Sequence, residues 1–380
     1  MKKTNQFVLW FAILAMTIVS CAKDEDQNLN LNQENSSVNS EKIAKNIVKL
    51  MQNNEAKTTL ITYLKENKFG ASLETVLNQV DTDQTSKQAL FESVSRANEL
   101  NKLADETGVI EIPELWMYQP LTKKASEALV AYVPKGDEKD WEQIKAFDQD
   151  GNVVYLDPNK EPDVPVIVVE LNGMETLKAR VDKMNEELRA AGLQTKNSDA
   201  VRLKNQKGLE TTKIEKISLR DDKEPWIKGA AEIYAITSGI KGTIQDKKAE
   251  IAIVAMPYLD YAETTYTPNQ VILFWNDYAY QAANIQLYEQ DSNYNYKQLV
   301  SIIVNGVFEI AGLLSGEPWV SALGKIASAI VKVMPDKWYT DDDDYVDSYY
   351  TIMKNKEYIN YNAAGNNAKA TLKPLFIPAN

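Results

Sequence analysis

Two apolar segments, 299–314 and 319–334, joined by Ser315-Gly316-Glu317-Pro318, constrain this chain more than any other feature. The first holds only Glu309 as a charge and the second only Lys325 and Lys332. Each is about 16 residues, and at 1.5 Å per residue such a helix falls short of the roughly 30 Å hydrocarbon core of a bilayer. The Gly and Pro at the join mark a turn, so the pair reads as a helical hairpin whose apolar surface must be covered on at least one side. Strand-like stretches surround it: 213–219, 231–237, 249–255, 270–275 and 283–289 before it, 348–353 and 368–376 after it. The expected architecture of 212–380 is therefore an antiparallel β-sandwich with a helical hairpin inserted at 298–335 and packed onto it. A hairpin that inserts into a membrane or binds a partner is the other reading of the same residues.

Upstream the texture is helical first and mixed afterwards, which makes the class α+β. Ser40 can cap a helix beginning at Glu41, with Ile43, Ile47, Val48 and Met51 on one face, and further amphipathic segments follow at 56–67, 71–79 and 87–106. These make a helical region over 41–107. From Gly108 strands are expected at 109–112, 128–133, 153–156 and 164–171. The last, Val164-Pro165-Val166-Ile167-Val168-Val169-Glu170-Leu171, is almost wholly β-branched and apolar, the signature of a strand buried on both faces. Asp148-Gln149-Asp150-Gly151-Asn152 has its Gly one place early for a helix–loop–helix calcium site, and Asp-Gly between strands reads as a hairpin turn. A charged amphipathic helix over 174–191 closes an α+β region, 108–191, and a polar linker, 192–211, leads into the sandwich.

The amino end reads as an export and lipidation signal. Lys2 and Lys3 precede an apolar run over 7–19, the length of a signal-peptide core and too short to cross a membrane. It ends at Ile18-Val19-Ser20-Cys21, which resembles the bacterial lipoprotein signal, in which the cysteine is acylated and becomes the mature N-terminus. Cys21 is the only cysteine of the chain. The residues Lys23, Asp24, Glu25 and Asp26 resemble the surface-export tag of Bacteroidota lipoproteins. The residues over 27–40, chiefly Asn, Gln and Ser, cannot bury enough apolar area to order themselves, so 21–40 is expected to be a flexible tether after the 1–20 leader. The expected location is the outer membrane, lipid-anchored and facing outward, with the membrane as a partner through the acyl chains.

Composition removes whole classes of function. The chain contains no histidine, which excludes Ser-His-Asp and Cys-His catalysis and His-ligated zinc. A net charge of −12 and the lack of a basic stripe argue against nucleic acid as a partner. No Gly-rich phosphate loop, Gly-x-Ser-x-Gly elbow or Cys cluster is present, so neither nucleotide, haem nor zinc is expected. Ser238-Gly239-Ile240-Lys241 matches a Ser-x-x-Lys pair but stands in a strand context rather than at a helix start. Among 54 acidic residues no hydrolytic pair stands out from sequence alone.

The order of features in the last third resembles the calcium- and phospholipid-binding β-sandwich of the protein kinase C and synaptotagmin type. The residues that carry the likeness are Ser218-Leu219-Arg220-Asp221-Asp222 leading to Glu232-Ile233-Tyr234, then Leu287-Tyr288-Glu289-Gln290-Asp291, then Asp343-Asp344-Tyr345-Val346-Asp347. The resemblance implies calcium held at one end of the sandwich by Asp221, Asp222, Glu232, Glu289, Asp291, Asp343 and Asp344, since calcium takes six to eight oxygens. Here Glu232 and Glu289 replace family aspartates, and Asp347 stands where the family has glycine. Trp275, Tyr278 and Tyr280 form an aromatic cluster suited to stacking on a sugar or anchoring a protein, or else to closing the end of a core strand.

The whole chain also resembles uncharacterised bacterial lipoproteins carrying a domain of unknown function, through Glu161-Pro162-Asp163-Val164-Pro165-Val166, Glu224-Pro225-Trp226-Ile227 and Asp342-Asp343-Asp344-Tyr345-Val346-Asp347. Together these features give the expectation of a lipid-anchored envelope protein that binds a glycan or protein without catalysing a reaction, with calcium as its one candidate cofactor. The alternatives are a carboxylate-dependent hydrolase of surface polysaccharide, which would need two facing carboxylates in a cleft, and an envelope-assembly component acting through the hairpin.

Overall fold

A computed structural model describes residues 38–120, 127–136, 138–195, 208–221, 225–243, 245–259, 261–290, 295–334 and 345–379. From the amino end come α1 (Ser40–Leu50), α2 (Asn54–Glu66), the short strand β1 (Ala71–Ser72), α3 (Leu73–Gln79), α4 (Gln84–Asn101) and a single turn, α5 (Ala104–Thr107). Next are β2 (Glu114–Tyr118), β3 (Leu129–Tyr132), β4 (Ile144–Phe147), β5 (Val153–Leu156), β6 (Val166–Glu170) and the long helix α6 (Met174–Ala190). The remainder runs β7 (Gly208–Leu219), β8 (Ile233–Gly242), β9 (Lys247–Ala255), β10 (Gln270–Phe274), β11 (Ala282–Glu289), α7 (Tyr296–Leu314), α8 (Trp319–Val333), β12 (Tyr345–Met353), β13 (Tyr358–Asn362) and β14 (Ala368–Pro378).

The first six strands form one sheet in the order β1-β2-β6-β3-β4-β5, antiparallel except where β3 lies parallel to β6. One face, with Leu115, Val130, Phe147, Ile167 and Val169, packs against α1 to α4. The other, with Trp116, Ala131, Val166 and Val168, packs against Trp141 and Ile227. Because β6 is central and covered on both sides, all five of its residues are buried, which is the physical cause of its β-branched run.

The remaining strands form two antiparallel sheets, β10-β7-β14-β13 and β12-β11-β8-β9. They face one another across Ile214, Ile217, Ile285, Leu287, Tyr349 and Leu372, so the expected sandwich is present. The outer face of the second sheet, with Tyr234, Ile236, Ile251 and Tyr288, meets a helical layer built from α6, α7 and α8. That second cover explains why β11 is buried along its whole length. The hairpin therefore packs onto the sandwich, and α6 carries the connection from the first sheet into the same core.

Several local expectations are corrected. Asn39, not Ser40, caps α1, its side chain accepting the Lys42 N–H. Residues 109–112 are not a strand: Asn101 brackets Glu111 with two hydrogen bonds, and the strand forms at β2 just beyond. The strands β4 and β13 stand where none was expected, and β7 starts at Gly208, because its eleven-residue pairing with β14 extends the ladder beyond the apolar alternation. The helix α7 starts at Tyr296, capped by Asn295, whose side chain accepts the Gln298 N–H. The 148–152 segment is the expected hairpin turn between β4 and β5, with the Asp148 carboxylate accepting the N–H groups of Asp150 and Asn152 and Gly151 at φ +83°.

Candidate functional site

The densest buried charge lies where the first sheet meets the N-terminus of α6. In the β2–β6 ladder Glu114 stands directly opposite Glu170, and both are buried. The Glu114 Oε1 accepts the backbone N–H groups of Glu175 at 3.0 Å and Thr176 at 3.3 Å, in the first turn of α6. A helix N-terminus offers unpaired N–H groups and a positive dipole end, so it suits a carboxylate. Gly173 makes the approach feasible, because a Cβ there would lie 2.9 Å from that oxygen. Burial nevertheless dominates and raises the Glu114 carboxyl to about 7, against the lowering by its two N–H donors. Glu232, just before β8 and 3 % exposed, lines the same recess together with Lys68, Trp116 and Gly173; the recess measures about 280 Å³ with its open mouth included.

At the end of the sandwich the seven candidate calcium ligands divide. Asp222, Asp291, Asp343 and Asp344 lie outside the described residues, as do Cys21, Lys23, Asp24, Glu25 and Asp26. Asp221 is exposed beyond β7, its backbone N–H and C=O both held by the Asn367 side-chain amide. Glu232 and Glu289 are brought together at the paired ends of β8 and β11, where the Gln290 N–H donates to the Glu232 carbonyl, and both are buried. Among the described residues no three acidic side chains converge as a metal site would require.

Asp347, given no role beyond its place in the acidic segment, is heavily engaged in the structure. It is fully buried in β12, and its Oδ1 accepts the N–H groups of Ser348 at 2.8 Å and Gly365 at 2.6 Å. Its Oδ2 accepts those of Asn367 at 2.7 Å and Ala368 at 2.8 Å, so one side chain fixes the β13–β14 turn against the sheet. The available sequence signal is an aspartate flanked by strand formers, a residue that strands disfavour unless a partner waits for it.

The aromatic cluster is divided between two parts of the fold. Trp275 is buried in the sandwich core and donates from Nε1 to the Thr212 hydroxyl at 2.9 Å. Tyr278 packs edge-on against it at 5.9 Å and covers Gly239, where a Cβ would come within 2.2 Å of the tyrosine ring. Tyr280 stacks on Trp319 at the start of α8, 6.5 Å between ring centres. The Ser238 of the Ser-x-x-Lys pair is fully buried in β8, and Lys241 is held by Glu250 at 2.6 Å.

Among the described residues the hairpin is covered on one side only. Ile303, Val307, Leu323, Ile326 and Ile330 face the core, whereas Phe308, Leu313 and Val320 are 52 %, 58 % and 54 % exposed. Ala311, Gly312 and Gly324 share that outward surface. Its charged groups are Glu309, Lys332 and the ion pair of Glu317 with Lys325 at 2.8 Å, in which the ammonium holds the Glu317 carboxyl below its usual range. Exposed large apolar side chains grouped on one helical hairpin make this surface a candidate contact site.

The chain belongs to a family of proteins of unknown function, DUF3103. The family model matches residues 33–380, so it takes in the first sheet, the sandwich and the hairpin together. No curated protein and no solved structure matches the chain.

Proposed function

We propose that this family member is a lipid-anchored protein of the bacterial outer membrane, facing outward, that binds through its surface rather than catalysing a reaction. The observation that carries the binding role is the apolar outward face of the hairpin around Phe308, Leu313 and Val320. The anchor rests on Cys21, the sole cysteine, at the end of a lipoprotein-type leader, and the outward orientation on the Bacteroidota-type tag of Lys23, Asp24, Glu25 and Asp26. Replacing Cys21 by Ser should abolish incorporation of labelled fatty acid and move the protein from the membrane to the soluble fraction. Unchanged partitioning would overturn the anchor, and protection of the body from protease added to intact cells would overturn the outward orientation. The same reading keeps calcium as a ligand of the acidic loop end, to be tested by thermal unfolding with calcium and with EDTA, since a ligand of the native state raises its stability.

A second reading, a carboxylate-dependent hydrolase, is favoured by Glu114, raised to about 7 and paired in the β2–β6 ladder with Glu170, both lining one recess. Against it stands the commitment of the Glu114 oxygen to two helix N–H groups. Polysaccharide hydrolysis lost in Glu170→Gln but retained in Cys21→Ser would establish it.

A further inference from the structure

We infer that the outward face of the α7–α8 hairpin docks on the lipid bilayer that holds the chain's own acyl anchor. This inference rests on the anchored reading above and names the partner of the same surface. The point where the described body begins, and the number of residues between it and Cys21, support it. The Val38 N–H donates to Glu111 at 3.4 Å, so the folded body begins beside residues 108–111. Those residues adjoin the foot of the hairpin: the Tyr296 N–H donates to the Gly108 carbonyl at 3.1 Å, and the Tyr296 hydroxyl to the Ala104 carbonyl at 2.9 Å. A Cβ on Gly108, at φ +72°, would lie 2.1 Å from the Asn295 side chain, so this junction is closely fitted. From its foot α7 extends 19 residues, about 28 Å, to the exposed tip. Cys21 precedes Val38 by about 17 residues, a length of chain that spans up to about 60 Å. That length of chain exceeds the distance from Val38 to the tip, so an anchor at Cys21 allows the tip to meet the same membrane.

The chemistry of the face favours lipid over protein. Its exposed large side chains, Phe308, Leu313 and Val320, are apolar, with neither the Tyr nor the Arg anchors of protein interfaces among them, and the polar Gln298, Ser301, Asn305, Glu309, Ser328 and Lys332 beside them give the amphipathic pattern of an interfacial helix. An interfacial bilayer contact needs only apolar side chains sunk about 5–10 Å, and Phe308, Leu313 and Val320 meet that requirement at the tip. Ile303, Val307 and Ile326 stay in the core, so the hairpin lies in the interface and does not cross it. Attachment at Cys21 raises the local concentration of bilayer, so the contact can be weak by itself and still be occupied.

The test uses the mature chain from residue 22, with a hexahistidine tag at its N-terminus in place of the acyl group, on vesicles of phosphatidylcholine, phosphatidylethanolamine and a nickel-chelating lipid. The native sequence has no histidine, and residues 22–380 no cysteine, so the tag alone fixes the tether and Leu313→Cys supplies the only thiol for a polarity-sensitive fluorophore. A label at Tyr155→Cys, on the exposed edge strand of the first sheet, is the control. The expected result is a blue-shifted tip label, quenched by brominated acyl chains, beside a control label that reads water, with quenching falling about tenfold in Phe308→Ser combined with Val320→Ser. Equal, water-like signals at both positions would overturn the proposal, as would a concentration-dependent dimer in solution abolished by Phe308→Ser, since a second copy would then cover the face. Because the tag replaces Cys21, failure of the docking is read separately from failure of acylation, which the labelled fatty acid reports.

Discussion

Two buried carboxylates, one in each half of the molecule, are served very differently. In the sandwich Asp347 receives four backbone N–H donors, two on each oxygen, and the turn between β13 and β14 folds down onto it. In the first sheet Glu114 receives two on a single oxygen and faces another acid, Glu170, across a strand pair. Around Asp347 the chain is packed closely; around Glu114 it leaves a recess. The difference teaches that burial alone does not decide what a carboxylate does. The number of donors aimed at it and the packing around it matter as much: Asp347 ties a turn to the sheet, whereas Glu114 lines a recess.

The largest effect expected is that of Asp347→Ala, which strands four backbone donors and should cost about 4 kcal/mol or more, with Asp347→Asn in between. Chemical denaturation measures it, and a loss under about 1 kcal/mol would mean that water replaces the carboxylate, erasing the contrast. Next comes the pH dependence of Glu114. Its folded value, about 7, lies above the ordinary 4.5, so the folded state binds the extra proton. The associated stability is full below pH 4.5 and is lost as pH rises through 7, about 3 kcal/mol in all. Urea unfolding at pH 5 and pH 8 should show this loss in the wild type and a flatter profile in Glu114→Gln; identical slopes would contradict the assignment.

Gly239→Ala tests the close packing of the sandwich, because the new Cβ would meet the Tyr278 ring at 2.2 Å. The expected cost is about 2 kcal/mol, relieved in part by adding Tyr278→Ala. Strict additivity of the two substitutions would show that the crowding lies elsewhere. The smallest effect belongs to the ion pair that joins β4 of the first sheet to α1, Lys145 with Glu41 at 2.8 Å. Hydrogen bonds from Lys145 and Lys45 hold Glu41 at about 2, so this contribution is present above pH 4.5 and is lost as pH falls toward 2. Both side chains are about a third exposed and screened by solvent, so Lys145→Ala should cost under about 1 kcal/mol, less still in high salt. A larger loss would make this pair a strong electrostatic tie rather than a screened surface contact.

The legible parts of this protein are those whose pattern is local. The amphipathic faces of α1 and α6, the doubly covered β6, the Asp-Gly turn after β4 and both arms of the hairpin follow from the spacing of apolar and turn residues over a few positions. Two strands escaped for different reasons: β2, with its central Trp116, is held by a partner some fifty residues on, whereas β13 is one arm of a hairpin with β14 and, with one buried residue and four exposed, carries no apolar alternation. The candidate sites divide in the same way. Glu232 and Glu289 were legible as acids at strand ends, but not their burial, and Glu114 gave no signal because its meaning comes from α6, some sixty residues on in sequence.

By itself, then, the sequence determined the α+β class and the sandwich with its inserted hairpin, because periodicity and turn signals are properties of neighbouring residues. Only the tertiary structure decided which face of the hairpin is left uncovered, which acids are buried, and how many N–H groups reach each of them. Those outcomes depend on contacts between residues far apart in the chain, through desolvation and hydrogen-bond geometry that no local spacing encodes.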